Sequence, residues 1–153
     1  MLTEEERRDI EREIRQCEEL RAATGEVLKI VQRHRGWVSD ELQDLAAILG
    51  VTPAELDSVA TFYSLIYRKP VGKHVILICD SVTCWIMGYE EVLAHLRSRL
   101  GIGLNETSAD GQFTMLPVAC LGACDRAPAL MIDEELFVDL TPEKLDVILE
   151  KYR

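Results

Sequence analysis

Five cysteines are spread over the 153 residues, and four of them fall into two pairs. Cys79 and Cys84 enclose four residues in CDSVTC; Cys120 and Cys124 enclose three in CLGAC. Thiolates grouped in this way hold soft metal ions or exchange electrons as dithiols. Three cargoes are open on spacing alone. A structural zinc takes four thiolates tetrahedrally, with paired cysteines commonly about two to four residues apart. A thioredoxin-type disulfide calls for C-x-x-C, a pattern this chain does not contain. A [2Fe–2S] cluster draws two thiolates to each of two irons, and longer intervals on separate loops suit that wider site. Such a cluster with four thiolates carries a charge of about −2, and about −3 after reduction. Ser81, Val82, Thr83, Gly122 and Ala123 are small and leave backbone N–H groups free to point at sulfur. Asp80 and Asp125 oppose an added electron, whereas Arg126 favours it.

Each pair begins where a strand is expected to end. HVILIC at 74–79 is a buried-strand run, and FTMLPVAC at 113–120 follows the Asp110-Gly111 hairpin signal. Two loops at the carboxyl ends of strands in a small parallel or mixed sheet can be neighbours, despite the 35 residues between Cys84 and Cys120. Between them GYEEVLAHLRSRLG at 88–101 is an amphipathic helix with Val92, Leu93, Leu96 and Leu100 on one side. PALMI at 128–132 and ELFVDL at 135–140 are two further short strands, and Thr141 with Pro142 starts a last helix burying Leu145, Ile148 and Leu149. Together these elements over 69–153 make a small α/β sheet domain close to the thioredoxin plan.

Residues 1–68 form a helical bundle domain by the same criteria, giving an α+β chain overall. Thr3 with Glu6 makes a capping box, and Ile10, Ile14, Cys17 and Leu20 follow as one apolar stripe. A second helix over 25–35 turns Val27, Leu28 and Val31 inward and stops at Gly36. A third has Ser39 as its cap, carries Leu42, Leu45, Ala46 and Leu49, and ends at Gly50. The fourth opens on Thr52, Pro53 and Glu55 and buries Leu56, Val59 and Ala60. The stretch TFYSLIYR at 61–68 is aromatic and β-leaning, and KPVGK at 69–73 is turn material.

Composition narrows the function classes. The formal net charge is −10, divided as −4 up to residue 70 and −6 after it, so neither half is basic, which argues against a general nucleic-acid binder. The charged start MLTEEERRDIEREIRQ lacks the apolar core of a signal peptide, and runs such as VILIC are too short to cross a bilayer. A cytoplasmic chain without direct membrane insertion is expected, in a reducing compartment where cysteines are ligands or redox groups before they are disulfides. GIG at 101–103 lacks the remainder of any phosphate-binding motif, so no substrate site for NADH or FMN is expected here.

CDSVTCWIMG at 79–88 and CLGACDRAPALMI at 120–132, introduced by ATFYSLIYRKPVGKHVILIC at 60–79, resemble the E subunits of bacterial NADH-quinone oxidoreductase, respiratory complex I. The resemblance covers nearly the whole chain. It implies one [2Fe–2S] cluster in a thioredoxin-like domain, with Cys79, Cys84, Cys120 and Cys124 as ligands. It implies the role of an oxidoreductase subunit, with electron transfer in the NADH-oxidising module, off the main line of electron flow. The implied partners are a flavoprotein subunit carrying FMN, the NADH site and a [4Fe–4S] cluster, and a larger multi-cluster iron–sulfur subunit. The complex would hold the chain peripherally on the inner face of the membrane. Related subunits serve NAD-linked hydrogenases and formate dehydrogenases and share the cysteine pattern; a zinc-stabilised interaction module is the alternative of a different class.

Other residues have plainer expectations. Cys17 completes an apolar stripe, and His34, His74 and His95 are structural. Trp85 next to Cys84 shields the site, faces a partner or packs in the core; Trp37 wedges between helices. Pro128 stands where thioredoxin-like folds hold a cis proline. The charged N-terminal helix is a solvated face, or a docking face for the flavin subunit.

Overall fold

The computed structural model describes residues 2–39 and 43–152, in two compact units, one up to Pro70 and one from Val71. Helix α1 spans Glu4–Ile14: Thr3 accepts from the Glu6 N–H while the Glu6 carboxylate accepts from the Thr3 N–H. After Ile14 the chain tightens to three-residue bonds, Gln16 N–H to Glu13 and Cys17 N–H to Ile14. That ends the helical period, so Cys17 and Leu20 are not on α1; Leu20 opens a 3₁₀ turn at Leu20–Ala23 and is exposed. Helix α2, Thr24–Arg35, stops at Gly36, whose φ of +80° is a left-handed conformation that glycine adopts freely. Helix α3 is Gln43–Leu49; the Ser39 cap and Leu42 expected for it adjoin or fall among residues 40–42, outside the described residues. Helix α4, Pro53–Phe62, has the Thr52–Glu55 capping box and Pro at its first turn. Ile10, Leu28, Leu49 and Leu56 meet in the core of this unit, each with essentially no exposed surface. At about 1.5–3 kcal/mol per large apolar side chain, that burial is the main force holding the helices together.

The segment 63–68 is not a strand. The side-chain amide of Gln32 on α2 donates to the Leu65 carbonyl at 2.9 Å and accepts from the Tyr67 N–H at 2.6 Å. A side chain thus satisfies backbone groups that a neighbouring strand would otherwise have paired. Ile66 is buried by this tether, while Phe62 is 81% exposed.

In the second unit the described residues form a five-stranded mixed sheet in the order β2-β3-β1-β4-β5. The strands are β1 (His74–Cys79), β2 (Glu106–Thr107), β3 (Phe113–Val118), β4 (Leu130–Ile132) and β5 (Glu135–Phe137). β1 and β3 are parallel; the other neighbours are antiparallel. The short β2 was not evident in the sequence, because two residues carry no alternation. Ile76 and Ile78 of β1 pack with Met115 and Leu130 under two helices, α6 (Tyr89–Leu100) and α7 (Pro142–Glu150). Alternation along β1 turns Cys79 away from that core, into a separate small cluster with Cys84, Ala127 and Ala129. No single described helix is long and apolar enough to cross a membrane; α3 and α4 approach this only as a pair bent by 98°.

Candidate metal centre

Parallel pairing of β1 with β3 sets Cys79 opposite Val118, so the chain leaves both strands at the same edge of the sheet. The segments bearing the two cysteine pairs therefore begin side by side. Cys79 is the last residue of β1. Cys84 sits not on a loop, as expected from sequence, but on a single-turn helix α5, Val82–Ile86. Val-Thr-Cys-Trp-Ile has poor helix propensity, and its geometry is held by Trp85 N–H to Ser81 and Met87 N–H to Thr83. Cys120 lies two residues beyond β3, and Cys124 opens a 3₁₀ turn at Cys124–Arg126. The peptide bond between Ala127 and Pro128 is cis, as the thioredoxin-like plan implied.

Within each pair the sulfurs are close. Cys120 Sγ and Cys124 Sγ are 3.8 Å apart, and Cys79 and Cys84 share one small buried cluster. Electrostatically each segment acts on the other: the Leu121 N–H favours the thiolate of Cys79, and the Thr83 side chain favours that of Cys124. Among the described residues no three Cys, His, Asp or Glu side chains are gathered as holding one metal ion would require. The sulfurs form two pairs rather than a single closed tetrahedron, and burial divides them the same way. Cys79 and Cys84 are 2% and 1% exposed, whereas Cys120 and Cys124 are at the surface.

Hydrogen bonds set the thiol acidities. Burial raises the Cys79 pKa, but the Ser81 hydroxyl and N–H, Cys84 and the Leu121 N–H outweigh it and leave it below the ordinary thiol value. For Cys84, burial and the bond to Cys79 prevail over the Ala129 N–H and push the pKa up. Cys124 is pushed up by its hydrogen bond to Cys120 and by the negative charge Cys120 develops. The Ser81 hydroxyl stands 3.5 Å from Cys79 Sγ instead of capping α5. Gly122, at φ +76°, aims its N–H at Cys120 Sγ from 3.3 Å, as expected for that small residue. The Leu121 and Ala129 donors were not foreseen; a backbone N–H has no residue type by which a sequence could reveal it.

A family description, thioredoxin-like [2Fe-2S] ferredoxin, matches residues 10–153 of this chain. The E subunit of NADH-quinone oxidoreductase from Pseudomonas aeruginosa is 50% identical over 153 residues, which is 99% of this chain and 92% of that protein. Its counterpart from Escherichia coli (strain K12) is 48% identical with the same coverage. The chain belongs to the thioredoxin-like [2Fe-2S] ferredoxins, in the branch of these oxidoreductase E subunits. A crystal structure of an NAD+-reducing [NiFe]-hydrogenase in its air-oxidized state shares the fold, with a TM-score of 0.68 and 24% identity. That likeness covers 87% of this chain and 22% of the hydrogenase chain. The Pseudomonas and Escherichia relatives belong to an oxidoreductase complex, and the family is one of [2Fe-2S] proteins.

Other side chains near the four paired cysteines divide clearly. Trp85 is 59% exposed, which excludes core packing, and Val82, Ile86 and Met87 stand exposed beside it on α5 and just after it. Arg126 is engaged by Asp139 at 2.9 and 2.6 Å, so its charge is largely balanced and does little for an added electron. Asp80 and Asp125 are exposed carboxylates at the rim. The three histidines lie elsewhere, paired as His34–Asp9, His74–Asp133 and His95–Asp146 at 3.0, 2.7 and 2.9 Å. Cys17 packs, partly buried, against the core of the helical unit.

Proposed function

We propose that Cys79, Cys84, Cys120 and Cys124 bind one [2Fe–2S] cluster and that the chain is the one-electron carrier of an NADH-oxidising module. The observation that carries this reading is the parallel pairing of β1 with β3, which starts both cysteine segments at one edge of the sheet, with the Cys120 and Cys124 sulfurs 3.8 Å apart. Two sulfur pairs match the need of two bridged irons for two thiolates each. When bound, the cluster supplies reversible one-electron chemistry. The chain's own residues supply the thiolates, and the N–H groups of Ser81, Leu121, Gly122 and Ala129 stabilise negative charge on sulfur. Cys79 and Cys84 seat the site in the protein, and Cys120 and Cys124 bring it to the surface.

A one-electron centre cannot accept a hydride, so the pair from NADH must be split by a flavin elsewhere. The proposed partner is a flavoprotein carrying FMN, the NADH site and a [4Fe–4S] cluster, adjoining a larger iron–sulfur subunit. The exposed Val82, Trp85, Ile86 and Met87 beside Cys84 support docking of that partner there. The complex then holds the chain peripherally, on the cytoplasmic face of the membrane. The test is purification without oxygen: about two irons and two sulfides per chain, visible colour, and a paramagnetic signal on reduction are expected. Colourless protein with one zinc per chain refutes the proposal, and co-isolation with a hydrogenase in place of a quinone reductase overturns the choice of host.

A further inference from the structure

Before a cluster is loaded, the two cysteine pairs are not equivalent toward oxidation. Cys120 and Cys124 are both exposed residues with their sulfurs 3.8 Å apart, while Cys79 and Cys84 are buried in a cluster with Ala127 and Ala129. A small disulfide can reach a sulfur at the surface and cannot reach one with 1–2% of its residue exposed. The intervening Leu121-Gly122-Ala123 is partly buried at its two ends and turns through an exposed left-handed glycine, so closing the sulfurs to a bond length of about 2.05 Å needs only local adjustment about Gly122. We propose that in the free chain Cys120 and Cys124 form a reversible disulfide with each other, leaving Cys79 and Cys84 as thiols.

The oxidant is a low-molecular-weight disulfide, RSSR. One surface thiolate attacks it, forming a mixed disulfide and releasing RS⁻; the second thiolate then attacks the protein sulfur and releases the other RS⁻. The two electrons of the dithiol pass to RSSR, and its two protons leave to the thiols formed. The consequence, which rests on the cluster-binding reading above, is that the oxidised chain lacks half its ligands and cannot be loaded until a reductant restores them. Once a cluster holds all four sulfurs, this exchange has no free thiolate to start from.

The experiment uses the full-length, metal-free chain treated with oxidised glutathione, followed by mass spectrometry and peptide mapping. The expected product is about 2 Da lighter, with the bridge mapped to Cys120–Cys124. The Cys120→Ser variant is expected to stop at a glutathione adduct on Cys124. Iron uptake by the oxidised chain should fall at least about tenfold and return after dithiol reductant, because only thiolates ligate. All five thiols remaining free, or a bridge at Cys79–Cys84 or Cys79–Cys124, overturns the proposal. If the mapped bridge is found but the reduced chain takes up no iron, the cluster-binding reading fails while the dithiol chemistry stands.

Discussion

Glu6 ties two elements together in a way that can be tested quantitatively. It is 1% exposed, accepts from the Thr3 N–H at 2.7 Å, and receives Nε and Nη2 of Arg35 on α2, the latter at 2.7 Å. The Arg35 hydrogen bonds outweigh burial and, with Thr3, hold the Glu6 pKa at about 2 against 4.5. A carboxylate with a depressed native pKa stabilises the fold above the unfolded value and loses that contribution as pH falls toward the native one. By linkage this amounts to about 3 kcal/mol at pH 7, about half of that or less at pH 3 and almost none of it at pH 2. Glu6→Gln keeps the side-chain volume and an acceptor oxygen for Thr3 but removes the charge opposite Arg35. Arg35 is 29% exposed and can be solvated in part, so the expected cost at pH 7 is about 2–3 kcal/mol, below the range for fully buried pairs. Urea unfolding of wild type and variant, followed by circular dichroism from pH 7 down to pH 3, measures both. The stability gap should narrow by about 2 kcal/mol over that interval. A gap that does not change with pH, or one below about 0.5 kcal/mol at pH 7, refutes the reasoning.

Three other substitutions follow from local geometry. A Cβ on Gly72 would lie 2.9 Å from the Gly111 oxygen and 3.0 Å from backbone carbons of Gln112 and Phe113, none of which a side-chain rotation can move. Gly72→Ala should therefore cost about 1–3 kcal/mol in thermal or urea unfolding, and a neutral result would show that the β2–β3 turn gives way to the added methyl group. Leu96→Ala empties a site with no exposed surface between α6 and the sheet; a loss of about 2–5 kcal/mol is expected from denaturation. Burial and a hydrogen bond to Glu135 push the Tyr152 pKa up to about 12, so this phenol should be among the last of the four to ionise in an alkaline absorbance titration. Its contribution to stability is present below pH 10 and is lost as pH rises toward 12, and Tyr152→Phe should delete that late step.

Much of this molecule is legible in its sequence where the signal is local. The capping boxes at Thr3 and Thr52, the glycine stop at Gly36 and the run from His74 to Cys79 all rest on neighbours within a few residues. The position of both cysteine pairs at one sheet edge was also within reach, since each follows a strand. What escaped depends on distance along the chain. Glu6 reads as a capping residue, and nothing local announces its partner 29 residues away. The 63–68 segment looks like a strand until the Gln32 side chain supplies its hydrogen bonds. Helix α5 runs against its own propensities, and the stripe through Cys17 and Leu20 continues a periodicity that the backbone abandons after Ile14. At the candidate site the sequence points to the sulfurs but not to the Leu121 and Ala129 amides that hold their charge.

Electron paramagnetic resonance of the dithionite-reduced chain, wild type beside five single cysteine-to-serine variants, addresses the ligand assignment most directly. Cys17→Ser should reproduce the wild-type [2Fe–2S] signal in line shape and in spins per iron. Serine at 79, 84, 120 or 124 should abolish the signal or change its g values, with matching loss or shift of the visible bands. A wild-type spectrum from any of those four variants, or loss of the cluster in Cys17→Ser alone, would contradict the assignment.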